Sequence, residues 1–133
     1  ELSNASPALQ SPIDINDRSV EVIARTDDVL MCRFAELCEK PRSAHDYIEI
    51  AREYHAVLLA DVPALGASND DAARRFINLV DEFYDRSVKL IISAERPILE
   101  LYDQGRLNFE FQRTQSRLQE MQSREYLARE HRP

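Results

Sequence analysis

Glycine is scarce in this sequence. There are two in 133 residues, Gly66 and Gly105, and neither precedes a Gly-Lys-Ser or Gly-Lys-Thr triplet. A phosphate-binding loop needs closely spaced glycines, whose backbone N–H groups approach the phosphate oxygens, followed by a lysine. The chain has no such loop, so we expect it neither to bind nor to hydrolyse a nucleotide by itself.

An excess of positive charge and a long apolar run are also missing. The net charge is -7, which argues against a nucleic-acid partner, because phosphate binding requires a clustered basic excess. No stretch approaches the ~18 apolar residues of a membrane span, and no signal peptide pattern opens the chain. The sequence therefore predicts a cytoplasmic protein without a membrane span.

Cysteine is limited to Cys32 and Cys38. A zinc site needs four ligands at close spacing, and only His45, His55 and His131 could complete one. We therefore expect no metal site and two reduced thiols in the core, as in a reducing compartment. A disulfide is disfavoured because Cys32 is predicted on a strand and Cys38 at the end of a short helix.

Apolar periodicity predicts an α/β fold with a small mixed sheet, helices packed on it and a helical C-terminal tail. The predicted elements are a hairpin around Asn16-Asp17, a central strand over 29–34, a helix from Ser43 to Tyr54, a buried strand over 55–60, a helix capped by Ser68 or Asn69, a buried strand over 88–92, a short helix over 97–102 and a longer helix from Phe109. Residues 55–92 read as a βαβ unit.

The first residues differ from the rest of the chain. Residues 1–11 are small, polar and unpatterned, which predicts a flexible linker or an artificial remnant of protein production. The folded domain is expected over 12–133.

Two polar side chains follow the strands of the predicted βαβ unit. Asp61 lies at the end of the apolar run His55–Ala60, and Ser93 lies at the matching end of Val88–Ile92. Open α/β sheets bind ligands beyond the carboxyl ends of their strands. Asp61 and Ser93 are thus candidate cofactor-binding residues; the alternative is that they only cap turns and helices.

Two further patterns are discounted. Leu79–Phe83 (LVDEF) mimics a Mg²⁺-binding Walker B strand, but its periodicity puts it in a helix. Val80 and Phe83 would then lie in the core, with Asp81 and Glu82 toward solvent. Ser93 with His55 and Asp61 would be the one conceivable hydrolytic triad, but no nucleophile-elbow glycines surround the serine.

Four arginines are candidates for an arginine-finger or sensor role: Arg74, Arg75, Arg113 and Arg117. The guanidinium group suits bidentate contact with a phosphate or a carboxylate. The alternative is that they are solvated or form weak surface pairs.

Three long stretches resemble a known family. HDYIEIAREYHAVLLADVP, DDAARRFINLVDEFYDRSVKLIISAERP and GRLNFEFQRTQSRLQEMQSREYLAREHRP are similar to the C-terminal third of the ZapE-like ATPases, which are P-loop, AAA-type enzymes. The resemblance covers about residues 12–133. It implies a longer parent protein whose N-terminal part holds the Walker A loop, the Walker B acids, ATP and Mg²⁺.

The resemblance also implies a role. It implies that the parent protein couples ATP hydrolysis to the division ring and acts on FtsZ polymers at the inner membrane face. This chain would then be an assembly, partner-binding or arginine-supplying domain, in contact with the N-terminal ATPase part or, in a homo-oligomer, with further copies of itself. The alternatives are a stand-alone protein-interaction module, or a degenerate P-loop-like lobe with an acid strand and a sensor strand.

Overall fold

The structure is a computed structural model that describes residues 9–131. Within this range it contains six strands and five α-helices. In chain order they are β1 (Ile13–Ile15), β2 (Arg18–Val20), β3 (Ala24–Arg25), β4 (Val29–Arg33), α1 (Phe34–Cys38), α2 (Ala44–Glu53), β5 (Ala56–Val62), α3 (Asp70–Asp85), β6 (Lys89–Ala94), α4 (Asn108–Glu120) and α5 (Arg124–Leu127).

The main sheet has the strand order β3-β4-β5-β6. Strand β3 is antiparallel to β4, whereas β4, β5 and β6 are parallel. Parallel neighbours need a crossover, and α1 and α2 connect β4 to β5, while α3 connects β5 to β6. The predicted fold class and the βαβ unit are confirmed.

A separate two-stranded hairpin joins β1 to β2. Asn16 and Asp17 form its turn and both have positive φ, 53° and 67°, as a type I′ turn requires. Asn and Asp adopt this conformation more readily than other non-glycine residues, so the pair sets the hairpin register. The second strand ends at Val20.

Several boundaries differ from those that the sequence predicts. Residues 97–102 form a 3₁₀ turn, Ile98–Glu100, instead of a short α-helix. The backbone of Asn69 begins α3, but its side chain accepts from the Gly66 amide and donates to the Ala64 carbonyl. It therefore closes the loop before the helix rather than capping the helix with its side chain.

The first described residues lie within the segment that the sequence predicts to be a linker. Leu9 forms two backbone hydrogen bonds with Arg25 of β3, of 2.7 and 2.8 Å. Arg25 also donates to the carbonyl and the hydroxyl of Ser11. The rest of the predicted linker, residues 1–8, lies outside the described residues.

The helices form one layer against one side of the sheet. Inward residues of β4 and β5 share a single core with side chains of all five helices; this core includes Leu30, Cys32, Val57, Leu59, Leu37, Tyr47, Phe76, Phe111 and Tyr126. The prediction that β6 is a buried strand is wrong, because β6 is an edge strand whose Ile91 side chain is 48% exposed.

The cysteine prediction is confirmed. Cys32 and Cys38 are free thiols and both are buried. Burial raises the pKa of each thiol to about 12, so both stay protonated and unreactive near neutral pH. None of the helices described here is long and apolar enough to cross a membrane.

Candidate functional site

Asp61 lies at an irregularity of β5. The register pairs Leu59 with Ile92 and Val62 with Ala94, so two residues of β5 face one residue of β6. Asp61 takes up the extra length with a left-handed φ of 64°. Such β-bulges re-aim side chains and occur often beside functional sites.

Ser93 lies directly across the bulge. The Asp61 amide donates a 3.0 Å hydrogen bond to the Ser93 hydroxyl oxygen, which replaces the ladder bond that the bulge disrupts. The predicted pair is therefore in contact at one end of the sheet. In this arrangement Ser93 fixes the backbone of the bulge, and the Asp61 carboxylate is left pointing outward, 71% exposed.

A shallow open depression of about 380 Å³ surrounds this pair. It is lined by Asp61–Pro63 and Ser93–Glu95. Arg33 of β4 forms an exposed ion pair with Asp61 at 3.2 Å, and Glu95 accepts from the Ala64 amide at 3.0 Å. The sequence interpretation missed Arg33, although it is the single charged residue in the apolar run VLMCRF and so carried a signal.

The carboxyl ends of β5 and β6 form a small polar contact site. It offers two carboxylates and one cation, all open to solvent. Across residues 9–131, no group of three or more His, Cys, Asp or Glu side chains is placed to hold a metal ion. The depression suits a polar or cationic group of a partner better than a triphosphate.

The strain at Asp61 gives a testable expectation. Asp61→Val should lower the free energy of unfolding by about 1–2 kcal/mol, because a β-branched residue at positive φ is a steric outlier. Asp61→Asn should change stability by less than about 0.5 kcal/mol, since Asn tolerates this conformation and the lost ion pair is exposed. Urea unfolding of both variants measures the difference; equal stability of the two would contradict the bulge geometry.

His55 stands at the opposite end of β5. Its imidazole lies 3.5 Å from the Asp28 carboxylate, and β5 runs from Ala56 to Val62. At about 3.3 Å per residue, His55 and Asp61 are roughly 20 Å apart along the strand. The structure therefore does not bring together a triad of Ser93, His55 and Asp61.

The Walker B-like segment lies in the middle of α3, as the periodicity predicts. Val80 and Phe83 are fully buried. Asp81 is less open than the sequence indicates, because its carboxylate accepts from both Arg113 and Arg117 of α4, at 3.4 and 2.5 Å. The Asp81 carboxylate thus links α3 to α4.

The four candidate arginines lie in three different surroundings. Arg113 and Arg117 are paired with Asp81, and the Arg117 guanidinium also lies over the Tyr84 ring at 4.9 Å. Arg75 is half-buried and donates to the Cys38 carbonyl at 3.1 Å, where a cation suits the C-terminal end of α1. Arg74 is exposed, and no hydrogen bond or ion pair joins its side chain to another residue within 9–131.

The two arginines on Asp81 differ in burial, and this gives a second expectation. Arg117 is 25% exposed and Arg113 is 60% exposed. Arg117→Ala should cost about 1–2 kcal/mol, since it removes an ion pair and a cation–π contact. Arg113→Ala should cost less than about 0.5 kcal/mol. Thermal unfolding of the two variants tests this order of stability losses. A larger loss of stability in the Arg113 variant would contradict it.

These features define an α/β domain with a parallel three-stranded centre and a polar edge where β5 and β6 end. The family model of the AFG1-like ATPases matches residues 1–130. The chain belongs to the AFG1-like ATPase family.

Two relatives support the assignment to this family. The chain is 52% identical over 119 residues to Cell division protein ZapE of Escherichia coli K12, a match covering 90% of this chain and 32% of that protein. It is 38% identical over 109 residues to Lactation elevated protein 1 homolog B of Danio rerio, covering 82% of this chain and 22% of that protein. The chain thus spans a third or less of the length of these relatives. No solved structure matches it.

Proposed function

We propose that this chain acts as an assembly and partner-binding domain of a ZapE-like cell division ATPase, and that ATP and Mg²⁺ bind elsewhere in a longer polypeptide. The observation that carries the proposal is the 52% identity to ZapE over 90% of the chain, within only 32% of that relative. The sequence supports it, because the chain has two glycines and no phosphate-binding loop. On this account the chain alone is not an enzyme.

Arg74 is the arginine that we propose for a nucleotide-directed role. Arg75, Arg113 and Arg117 already bind groups within the domain, whereas Arg74 is exposed on α3 and its side chain forms no hydrogen bond or ion pair within residues 9–131. A finger must be free to reach the γ-phosphate, in cis or from a neighbouring subunit. In this proposal Asp61 and Ser93 contact a partner at the ends of β5 and β6 and are not Mg²⁺ ligands.

A chimera tests the role of Arg74. This chain would replace the matching 119 residues of the Escherichia coli relative, and ATP hydrolysis would be measured. Loss of an arginine finger lowers kcat by about 10³-fold or more, so we expect Arg74→Ala to lower kcat on this scale with little change in KM. Arg113→Ala is the matched control and should retain activity. Unchanged kcat in the Arg74 variant would exclude the arginine-supplying role.

The proposed partner is FtsZ, at the division site on the inner membrane face, with the protein itself cytoplasmic. The alternative function, a protein-interaction module without any part in hydrolysis, predicts FtsZ binding that does not depend on nucleotide. Co-sedimentation of the 133-residue chain with FtsZ polymers tests this. Binding by the chain alone supports a partner-recognition role, and its absence contradicts it.

A further inference from the structure

One face of the main sheet carries a row of apolar side chains that lies outside the hydrophobic core. The register places Met31, Leu58 and Ile91 side by side across β4, β5 and β6. Met31 and Leu58 are half-buried and Ile91 is 48% exposed. Val29 and Ala60 lie on the same face, because side chains along a strand alternate between faces. We call these five residues the open face.

The open face is separate from the hydrophobic core. The neighbouring residues on β4 and β5, among them Leu30, Cys32, Val57 and Leu59, are at most 1% exposed and belong to the core with the helices. Met31, Leu58 and Ile91 are not part of that core. The helical layer therefore covers one side of the sheet, and the apolar row occupies the other.

Sheets built from parallel strands are normally covered on both faces, and their strands then read as continuous apolar runs. VLMCR in β4 and AVLLADV in β5 have this composition, although four of their ten apolar residues are only partly buried here. The composition fits a three-layer arrangement in which a second layer covers Met31, Leu58 and Ile91.

We propose that the open face is the docking surface for the remainder of the longer ATPase polypeptide, which packs on it as the second layer. This inference rests on the proposed function. About two thirds of the Escherichia coli relative lies outside the matched region, which is ample chain for such a layer. A segment in the same polypeptide also docks at a high effective concentration.

A second copy of this chain is the competing occupant. Each copy carries a net charge of -7, and like net charges oppose association. The covalently linked occupant is therefore favoured over face-to-face pairing of two sheets.

Cysteine labelling tests the docking surface. Ile91→Cys places a thiol on the open face, and Leu127→Cys, at a residue 51% exposed on α5, is the matched control. The native thiols do not compete, since Cys32 and Cys38 are buried and protonated. The rate of reaction with a water-soluble maleimide is measured in this chain alone and in the chimera described above.

We expect the Ile91→Cys thiol to react at least about tenfold more slowly in the chimera than in the isolated chain, because a covered thiol is inaccessible to reagent. The Leu127→Cys thiol should react at similar rates in both. Equal rates for Ile91→Cys in the two proteins would overturn the proposal. So would protection in the isolated chain that grows with protein concentration, because that result assigns the face to a second copy.

A second variant keeps the test independent of labelling. Ile91→Glu should leave the isolated chain with nearly unchanged stability, as the side chain is already half-exposed, but should lower the thermal unfolding midpoint of the chimera. Leu127→Glu should lower neither. ATP hydrolysis by the unmodified chimera reports on the proposed function separately: activity without protection at position 91 refutes the docking surface alone.

Discussion

Arg42→Ala should lower the free energy of unfolding by about 3 kcal/mol, because it strips a buried carboxylate of its arginine partner. The Arg42 guanidinium is 5% exposed and lies 2.9 Å from the Glu36 carboxylate, which is 9% exposed. Arg42 also donates to the Glu36 carbonyl at 3.1 Å. Lys40 and the Glu21 amide still bind Glu36 in the variant, which keeps the loss at the lower end for a broken buried pair.

The same pair makes stability depend on pH. Burial raises the pKa of Glu36, but hydrogen bonds from Lys40 and the Glu21 amide, with the charges of Lys40 and Arg42, outweigh it and lower the pKa below its usual value. The stabilisation is therefore present above the unfolded-state pKa of about 4.3 and is lost as the pH falls through the lower folded-state value. Arg42→Ala should move this loss to higher pH.

Urea unfolding at neutral pH and at acid pH measures both effects. Arg52→Ala is the control, because Arg52 is 62% exposed and its carboxylate partner, Glu49, is 3.8 Å away; it should cost less than about 0.5 kcal/mol. If the Arg42 variant were as stable as this control, the buried pair would not contribute as the geometry indicates.

Phe76→Ala should lower the free energy of unfolding by about 3–5 kcal/mol, the range for removing a buried aromatic ring from a packed core. Phe76 of α3 is fully buried. Its ring lies 6.0 Å from that of Phe34 in α1 and 6.2 Å from that of Phe111 in α4. The cavity would therefore open where three helices meet over the sheet.

Phe109→Ala is the matched control for this cavity. Phe109 begins the same helix as Phe111 but is 83% exposed, so its removal should cost less than about 0.5 kcal/mol. Guanidinium or thermal unfolding measures both variants. A loss below about 1 kcal/mol for Phe76→Ala would mean that the core is not packed around this ring.

The elements with strong local periodicity could be predicted from the sequence. Helix α3 is set by its regular apolar stripe, with Asp70 and Asp71 at its N-terminal end, where the helix dipole favours acids. Asn16 and Asp17 likewise determine the hairpin turn through their own conformational preferences. In these places the local chemistry and the tertiary structure agree.

The bulge at Asp61 could not be predicted, because it depends on the register between β5 and β6 rather than on residues near Asp61. The roles of the arginines depend on distant partners in the same way: Arg117 and Asp81 are 36 residues apart in the chain. Sequence alone identifies arginines suited to phosphate contact, but tertiary contacts decide which of them are already engaged.

The open face shows a third limit of prediction from the sequence. Apolar runs such as VLMCR predict burial on both sides of a strand, yet they do not say what covers each side. The structure shows that the helices cover only one. The resemblance to the ZapE-like ATPases is confirmed, because the family model of the AFG1-like ATPases matches residues 1–130 of this chain.

The central claim is that this domain serves an ATPase without holding its nucleotide site. Isothermal titration of the 133-residue chain with ATP and Mg²⁺ tests it most directly. We predict no binding at micromolar nucleotide, because the sequence has no glycine-rich loop followed by a lysine to hold the phosphates. Micromolar binding, particularly binding weakened by Asp61→Asn, would show that the chain has a nucleotide site of its own and would contradict the account.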